Sequence, residues 1–453
     1  MTKDQLGGIR EMTSVSVESA AVIVAKLIET TAGNRRLIVQ DIIWAPEEAY
    51  EDRQHDSMVI TPEGYISALG VAQRAKAVAI WLHTHPKGAP PQPSRRDDVV
   101  DKALADTFRI RTRSSFYGQM IVSQLDTDLG FTGLLIDKRG KKQSIDFIWS
   151  VGQRFELFAN FNKGSGPSLS SFDRNVKAYG EDIQSTLGRL HVGVVGCGGT
   201  GSAVAEQLVR LGIRSLTLID DDKIEKSNIT RVYGSFPESV GSPKVKALSR
   251  HLSHVEPSIQ ITKARGRITS QPIAKLLNDC DLVFGCTDDN AGRMVLSRMS
   301  SVMLVPLIDM GVKLDSLEGV LNGVFGRVTT VTPGTACLLC RDRVDLSAAS
   351  NELLTRKERK GRIAEGYATE LPGIEPAVVT FTTLTAAYAT SEFLNRLTGL
   401  GQDSFPSELL LFVHNYRVAG NGAAPKSGHY CDPGSKLFAS AITEPFLGLA
   451  WTD

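Results

Sequence analysis

A glycine-rich segment, VGVVGCGGTGS at residues 192–202, constrains the fold of this chain more than any other feature. It places Gly196, Gly198, Gly199 and Gly201 between an apolar run typical of a strand and an amphipathic run typical of a helix. Glycines let the backbone turn tightly and approach phosphate oxygens, and the N-terminus of the following helix favours negative charge. By itself the segment predicts a nucleotide-binding loop, with NAD the commoner ligand.

Strand-like and helix-like runs continue on both sides of that loop. Downstream, apolar runs at 215–220, 281–287 and 303–311 alternate with helical patterns such as 242–252. This order predicts a parallel, doubly wound sheet of the Rossmann type. Upstream, strands predominate, at 20–28, 36–45, 77–85, 117–125 and 131–138, with helices predicted at 66–77 and 98–108. The fold class is therefore predicted to be α/β.

A stretch rich in Gly, Ser and Pro, NKGSGPSLSS at 162–171, predicts a linker between two domains. We expect a first domain at 1–158, the linker at 159–171 and a second domain at 172–453. The length of the chain, 453 residues, agrees with this division, because it is long for one hydrophobic core.

Composition and charge exclude several classes of function. A formal net charge of +1 removes any general electrostatic argument for nucleic acid or for an anionic membrane surface. No signal core opens the sequence, and no apolar run approaches the roughly 18 residues that a membrane span needs, so we expect a cytoplasmic protein. Six cysteines in such a protein indicate metal or redox chemistry rather than a disulfide framework.

A second motif, HTHPKGAPPQPSRRDD, occupies residues 83–98. His83 and His85 alternate along a predicted strand and therefore point the same way. With Asp97 they would make a three-ligand zinc site that leaves one position for water. Ser94, at the start of a predicted helix, could stabilise an oxyanion, and a general base is still required, commonly a glutamate in zinc proteases.

These residues resemble the JAMM family of zinc isopeptidases, the MPN-type domains that cut ubiquitin-like proteins from their targets. The family pattern is a glutamate on an early strand, then His-x-His-Pro, a loop and Ser-x-x-Asp. Here Glu18 opens the strand ESAAVIVAKL, and Glu47 and Glu48 are also available. The loop is one residue longer than is usual in the family, a change that surface loops tolerate. The resemblance implies catalytic roles for Glu18 and Ser94 and zinc on the three ligands named above.

Residues beyond the glycine-rich loop help to choose between nucleotides. Asp220 ends the next predicted strand and suits ribose hydroxyls in either case. Asp222, Asn228, Arg231 and Lys244 follow it. Two cations favour a triphosphate over NAD, because arginine and lysine can clamp phosphates and offset charge in the transition state.

A further carboxylate, Asp288 in GCTDDNAGR, ends another predicted strand and would bind Mg²⁺ at the carboxyl edge of the sheet. The implied chemistry is nucleotidyl transfer with pyrophosphate leaving. From residue 172 to the end, these motifs resemble the adenylating enzymes that activate ubiquitin-like proteins. That family includes ubiquitin-activating enzymes and the molybdopterin and thiamine sulfur-carrier adenylyltransferases.

The resemblance assigns roles to several residues. It implies ATP and Mg²⁺ as cofactors, with ribose bound by Asp220 and Asp222, phosphates contacted by Asn228, Arg231 and Lys244, and magnesium and catalysis at Asp288, with Arg293 in the same motif. It also implies a homodimer in which Arg174 reaches into the partner subunit's ATP site. The chain departs from the family at Asn175 and Val232, where glutamine normally follows each arginine.

Cys337 and Cys340 form a Cys-x-x-Cys pair after a Pro-Gly turn, a spacing suited to a zinc knuckle. Many members of the adenylating family complete a structural zinc with a second such pair near the C-terminus. Here Cys431 is present, Gly434 stands at the position of the fourth ligand, and His429 could substitute. The alternative is a pair of small buried thiols.

The resemblances together imply adenylation of the C-terminal glycine of a ubiquitin-like protein, with a fused isopeptidase for processing or deconjugation. JAMM and adenylating domains in one chain resemble prokaryotic conjugation systems, some of them antiviral, with a separate modifier and room for a conjugating enzyme. Residues 341–430 contain no cysteine, so we hypothesise direct transfer of the acyl-adenylate without a thioester on this chain. Two alternatives stay open: a sulfur-carrier activator in cofactor biosynthesis, and a first domain that is an inactive docking scaffold.

Overall fold

The computed structural model describes residues 1–126, 128–163, 172–354, 358, 376–400 and 404–451. Two compact units make up the chain. The first comprises Met1–Glu29, Gly33–Gly166 and Ala439–Ala441, and the second Thr30–Ala32, Pro167–Phe438 and Ile442–Asp453. Most of the expected linker, residues 164–171, lies outside the described residues. In the part of the chain that is described, no helix has both the length and the apolar character needed to cross a membrane.

The first unit is built on a mixed sheet. Its strands are β1 Ala20–Glu29, β2 Arg35–Trp44, β5 Val78–Thr84, β6 Phe116–Gln124, β7 Leu129–Asp137 and β8 Lys142–Ser144, in the order β2-β1-β5-β6-β7-β8. Two hairpins accompany it, β3 Tyr50–Arg53 with β4 Met58–Ile60, and β9 Phe147–Val151 with β10 Phe155–Ala159. The helices are α1 Lys3–Ser14, α2 Glu63–Ala75 and α3 Arg95–Thr112. Strands β5 and β6 run parallel, and the other neighbours in the six-stranded sheet run antiparallel.

Both faces of this sheet are covered, which explains its uninterrupted apolar strands. In β1, Val22 and Val24 belong to a core that includes Phe108 of α3, whereas Ile23 belongs to a core that includes Leu6 of α1. Successive side chains point to opposite faces, so each face needs its own apolar partners. The sequence does not predict α1, because Gly7 and Gly8 weaken its helical pattern.

The second unit carries the predicted alternation of strands and helices. Its elements are α4 Asp173–Arg189, β11 His191–Val195, α5 Gly199–Leu211, β12 Ser215–Ile219, α6 Lys244–Val255, β13 Gln260–Ala264, α7 Gln271–Lys275, β14 Leu282–Gly285, α8 Asn290–Met303, β15 Leu307–Leu317, β16 Val320–Val331, α9 Leu346–Glu352, α10 Val379–Thr398, β17 Glu408–Phe412 and β18 Arg417–Asn421. The sheet order is β13-β12-β11-β14-β15-β16-β17-β18. The predicted Rossmann-like arrangement is therefore present.

The predicted parallel pairing is present in only one part of this sheet. The five neighbouring strands β13, β12, β11, β14 and β15 pair in parallel. The neighbours β15, β16, β17 and β18 pair in antiparallel fashion. The change occurs at a tight turn after β15, where Glu318 and Gly319 have φ values of 50° and 82°. Two successive residues with positive φ match the twist of a hairpin and send the chain straight back beside itself.

Glu408 anchors the antiparallel half of the sheet although its side chain is buried. Its carboxylate accepts hydrogen bonds from Arg343 Nε and Nη2 at 2.9 and 2.8 Å, from Thr329 Oγ1 at 2.9 Å and from Asn421 Nδ2 at 3.0 Å. Burial alone would raise the pKa of Glu408, but these donors outweigh it and lower the pKa to about 2. The carboxylate is therefore stabilised in its charged form.

We expect Glu408→Gln to lower the free energy of unfolding at pH 7 by about 3 kcal/mol, because it leaves Arg343 without its buried counter-charge. The folded-state pKa lies below the usual value of 4.5, so this contribution is complete above that pH and is lost as the pH falls toward about 2. Urea unfolding at pH 7 and pH 3 should therefore show a smaller difference at pH 3. Glu238→Gln, at an exposed position, is the control, and an equal loss in both variants would contradict the assignment.

Candidate functional sites

The glycine-rich loop of the second unit packs against itself so closely that two of its glycines are obligatory. A Cβ atom at Gly201 would lie 1.8 Å from the carbonyl oxygen of Gly196. Gly196 has a φ of +92°, and a Cβ there would lie 2.6 Å from the carbonyl oxygen of Cys286. Both glycines are required by the fold itself, since these neighbours are backbone atoms that cannot move aside.

Gly198 differs from these two. A Cβ at Gly198 would meet no atom within 4 Å, so the packing of the described residues does not require glycine there. Gly198 is the N-cap of α5 and makes no side-chain cap hydrogen bond. The first N–H groups of a helix without a side-chain cap form a natural anion-binding position. At Gly199 the space for a side chain is restricted but not closed, because a Cβ there would lie 3.2 Å from the side chain of Thr382.

Asp220 ties the end of β12 to the loop. Its Oδ2 accepts a hydrogen bond from the N–H of Cys197 at 2.7 Å, and its Oδ1 accepts one from the N–H of Asp222 at 2.8 Å. Lys244, the first residue of α6, pairs with Asp222 Oδ2 at 2.7 Å. Burial opposes the charged form of Lys244, but Asp220, Asp222 and Asp288 outweigh it and raise the pKa of this lysine. Asp288 follows β14, which pairs in parallel with β11, so it lies at the same carboxyl edge of the sheet as Asp220, Asp222 and Lys244.

Three other predicted residues lie in different settings. Asn228 is buried, and its Oδ1 accepts a hydrogen bond from the N–H of Glu225 within a local turn. Arg231 donates to the carbonyl oxygen of Ser227 at 2.8 Å, four residues earlier in the same segment. Arg174 is exposed on the first turn of α4, a helix that kinks at Gly180.

A sulfur-rich cluster lies elsewhere in the second unit. His429 Nδ1 is 3.4, 3.3 and 3.2 Å from the Sγ atoms of Cys337, Cys340 and Cys431, and the Sγ atoms of Cys340 and Cys431 are 3.6 Å apart. Tetrahedral zinc with Zn–S bonds of about 2.3 Å would separate two sulfurs by about 3.8 Å, so this donor set has the right size and chemistry. The fourth donor is His429, the substitute considered for the missing cysteine at Gly434.

The first unit brings together His83, His85 and Asp97. His83 Nε2 lies 3.2 Å from Asp97 Oδ1, and His85 Nε2 lies 3.7 Å from Asp97 Oδ2. His83 is buried, and neither of its ring nitrogens makes a hydrogen bond within the described structure. His85 Nδ1 lies 3.2 Å from the carbonyl oxygen of Pro90, which leaves Nε2 facing the aspartate. These separations suit ligands about 2.0–2.2 Å from one zinc ion.

The elements around these ligands differ in two details from the prediction. Strand β5 ends at Thr84, so His85 follows the strand rather than lying within it, although its N–H still bonds Val122 O at 2.8 Å. Glu18 precedes β1, which begins at Ala20, instead of opening it. Both residues lie within two positions of a strand end, where the regular hydrogen-bond pattern of the sheet stops.

Helix α3 positions Asp97. Ser94 is its N-cap and forms a capping box, in which Ser94 Oγ accepts from the N–H of Asp97 at 3.2 Å and Asp97 Oδ2 accepts from the N–H of Ser94 at 2.6 Å. The hydroxyl of Ser94 keeps its own proton available, since it serves here only as an acceptor. The cap therefore fixes the aspartate and leaves the serine free to donate.

Glu18 is held by a residue that the sequence does not single out. Arg53, at the end of β3, donates to the carbonyl oxygen of Glu18 at 2.9 Å and to Ser19 Oγ at 2.6 Å. Burial raises the pKa of Glu18, while His83 and His85 act in the opposite direction. Ala20 of β1 pairs with His83 of β5, so Glu18, two residues before Ala20, lies at the same end of the sheet as the histidines. Arg53 has no motif around it, so only the hairpin geometry reveals its role.

The second unit contains the part of the chain that matches a known protein family. Residues 172–421, more than half of the chain, match the ThiF family. The chain is 30% identical over 184 residues to the molybdopterin-synthase adenylyltransferase of Escherichia coli K12, covering 40% of this chain and 70% of that protein. It is also 30% identical over 180 residues to ubiquitin-like modifier-activating enzyme 5 of Aedes aegypti, covering 37% of this chain and 43% of that protein.

The chain thus spans less than half the length of the ubiquitin-like modifier-activating enzyme 5 that it matches. Among solved structures it is similar to Escherichia coli MccB, with 17% identity and a TM-score of 0.46 over 60% of this chain and 75% of that one. The match to the family extends from the start of α4 to the end of β18. The chain belongs to the ThiF family.

Proposed function

We propose that the second unit uses ATP and Mg²⁺ to adenylate the C-terminal glycine of a ubiquitin-like or sulfur-carrier protein. The observation that carries this proposal is that Asp220 bonds the glycine-rich loop and Asp222, that Asp222 pairs with Lys244, and that Asp288 lies at the same edge of the sheet. Similarity to a molybdopterin-synthase adenylyltransferase and to a ubiquitin-like modifier-activating enzyme supports it. Those two relatives favour the sulfur-carrier and ubiquitin-like alternatives equally.

The reaction proposed is an in-line displacement at the α-phosphorus of ATP. A carboxylate oxygen of the terminal glycine forms a bond to phosphorus, the bond to the β-phosphate oxygen breaks, and pyrophosphate leaves with that electron pair. The N–H groups at Gly198 and the start of α5 would hold phosphate oxygens, and Lys244 would offset their charge. Asp288 and its neighbouring carboxylates supply oxygen ligands of the kind that Mg²⁺ prefers.

Two further features of this proposal concern partners. Arg174 is exposed on α4, as it must be to enter the ATP site of a second copy in a homodimer. The absence of cysteine from residues 341–430 supports direct transfer of the acyl group to another protein, with no thioester on this chain. A separate modifier and a conjugating enzyme are the partners that such a transfer would use.

The experiment that tests adenylation is exchange of labelled pyrophosphate into ATP, with candidate modifiers that end in glycine. Wild-type protein should catalyse modifier-dependent exchange, and Lys244→Ala should reduce it by at least about 100-fold, as expected for loss of a phosphate-binding cation in the transition state. Lys246→Ala removes an exposed lysine from the same helix and should leave exchange unchanged. Absence of exchange with every such modifier would refute the proposal.

Substitutions at two glycines of the loop test ATP binding and folding separately. Gly198→Ala should fold with an unchanged melting temperature but bind ATP at least about tenfold more weakly, because its methyl group would occupy the position proposed for phosphate. Gly201→Ala should lower the melting temperature, because its Cβ cannot fit 1.8 Å from Gly196 O. Calorimetric titration with ATP and thermal unfolding measure both effects. Normal ATP affinity in Gly198→Ala would contradict the assignment of the loop.

For the first unit we propose a JAMM-type zinc isopeptidase that trims the modifier precursor or reverses conjugation. The geometry of His83, His85 and Asp97 supports it, as does a buried glutamate beside them. Zinc would supply an activated water molecule. Glu18 would accept the proton of the attacking water and pass it to the leaving amine, and Ser94 would donate a hydrogen bond to the oxyanion.

Zinc content distinguishes this assignment from an inactive scaffold. We expect two zinc ions per chain, one at the His83 cluster and one at the Cys337 cluster, and one fewer in either His83→Ala or His429→Ala. His254→Ala, outside both clusters, should keep two. Glu18→Ala should retain two zinc ions and lose cleavage of a modifier fusion, since it removes the base but no ligand. Cleavage at the wild-type rate by Glu18→Ala would exclude the proposed base, and two zinc ions in His83→Ala would exclude the proposed ligand.

A further inference from the structure

A carboxylate with no solvent exposure lies on β15 of the second unit and faces two arginines. Asp309 Oδ2 accepts a hydrogen bond from Arg327 Nη2 at 2.6 Å, and Asp309 Oδ1 lies 3.6 Å from Arg293 Nε. Strand pairing sets this arrangement. Asp309 is opposite Gly285 of β14, where a Cβ atom would come within 2.9 Å of its Oδ1. Glycine at 285 therefore makes the room that the carboxylate occupies.

Asp309, Arg293 and Arg327 do not satisfy all of one another's hydrogen-bonding groups. Asp309 Oδ1 and Arg293 Nε are both buried, and neither makes a hydrogen bond within the described structure. A buried ion pair that serves only stability needs good geometry and fully satisfied donors and acceptors, because desolvation of the charges is costly. Two guanidiniums share this one carboxylate, so one positive charge is left without a counter-charge among these three residues. The guanidiniums, and not the Oδ1 atom of Asp309, would therefore attract an anion.

The position of Arg293 connects this cluster with the proposed reaction. Arg293 Nη1 donates to the carbonyl oxygen of Asp288 at 3.3 Å, so its guanidinium lies next to the residue proposed to hold Mg²⁺. Arg327 is fixed on its other side by Thr329 Oγ1 at 2.5 Å. Each arginine is thus oriented by two contacts, and Asp309 is the contact that they share.

Both guanidinium groups approach the same point on β15. A Cβ atom at Gly311 would lie 3.5 Å from Arg327 Nη2 and 3.6 Å from Arg293 Nη2. In the described part of the chain, neither Arg293 Nη2 nor Arg327 Nε donates a hydrogen bond to a protein acceptor. Two guanidiniums directed at one glycine are suited to the paired oxygens of a carboxylate or a phosphate.

We propose that Asp309 is a positioning residue that holds Arg293 and Arg327 as a paired site for anionic oxygens of a reactant. The anion is either the C-terminal carboxylate of the modifier or the β- and γ-phosphates of ATP, which leave together as pyrophosphate. This inference rests on the proposed adenylation function and extends it, because it assigns a task to Asp309 and Arg327. Without Asp309, the two cations would repel each other and lose their common orientation.

The test compares Asp309→Asn, Arg327→Gln and Gly311→Ala. The first weakens the anchor, the second removes one cation, and the third adds a methyl group at ordinary contact distance beneath both guanidiniums. Each should raise the KM for its anion at least about tenfold in pyrophosphate exchange, the loss expected for charge-assisted hydrogen bonds. A rise confined to the modifier identifies the carboxylate, and a rise confined to pyrophosphate identifies the phosphate.

Glu392→Gln is the matched control, because it removes the charge of a buried carboxylate that pairs with Arg396 at 2.7 Å in α10. It should lower the melting temperature without changing either KM. If Asp309→Asn and Gly311→Ala behave in the same way, Asp309 is only structural and the inference is overturned. Gly311→Ala keeps all the charges, so it carries the test if the charge variants fail to fold.

Direct binding distinguishes failure of this inference from failure of the proposed function. Calorimetric titration with inorganic pyrophosphate and with a purified glycine-terminated modifier needs no catalysis. Absence of exchange in the wild type would refute adenylation, whereas unaltered affinities for both probes in all three variants would refute the paired-arginine site alone. A tenfold loss of affinity for one probe supports the site and identifies its ligand.

Discussion

The close contact between Gly196 and Gly201 is the constraint on which the proposed adenylation site depends. With only hydrogen on their α-carbons, the loop folds back so tightly that the carbonyl of Gly196 occupies the place of a side chain at Gly201. This contact lets α5 begin immediately after β11, and Asp220 then ties the loop to the end of β12 through the N–H of Cys197. Strand end, loop and helix start consequently form one rigid element, which is the condition for aiming backbone N–H groups at an anion.

The charged residues of the second unit form two groups with opposite net charge. Lys244 is held by Asp222 and stays charged among three carboxylates, while Arg293 and Arg327 share the single carboxylate of Asp309. The first group therefore has an excess of negative charge suited to a divalent cation, and the second an excess of positive charge suited to an anion. Groups of opposite sign agree with the proposed transfer of a nucleotidyl group to a carboxylate, which brings Mg²⁺ and anionic reactants together.

The two candidate metal-binding clusters are assembled in different ways. In the first unit, a strand end supplies two histidines and a capped helix supplies the aspartate, so all the ligands come from a short stretch of sequence. In the second unit, Cys337 and Cys340 meet His429 and Cys431 from a segment about 90 residues later. The first cluster has three candidate ligands, which would leave a fourth position for water, as in catalytic zinc sites. The second has four candidate ligands, three of them sulfurs, as is typical of structural zinc sites.

Local sequence determined the parts of this protein whose chemistry lies in short spacings. The glycine-rich loop, the alternating histidines with Ser94 and Asp97, and the longer apolar strands follow from periodicity and backbone stereochemistry, which act over a few residues. The predicted strands are β1, β2, β5, β6, β7, β11, β12, β14 and β15. Only tertiary structure decided the rest. The antiparallel half of the sheet, the recruitment of His429, the support of Glu18 by Arg53 and the sharing of Asp309 between two arginines depend on pairing of distant segments. Such pairings arise from the register of strands and the packing of loops, and neither leaves a mark in the spacing of neighbouring residues.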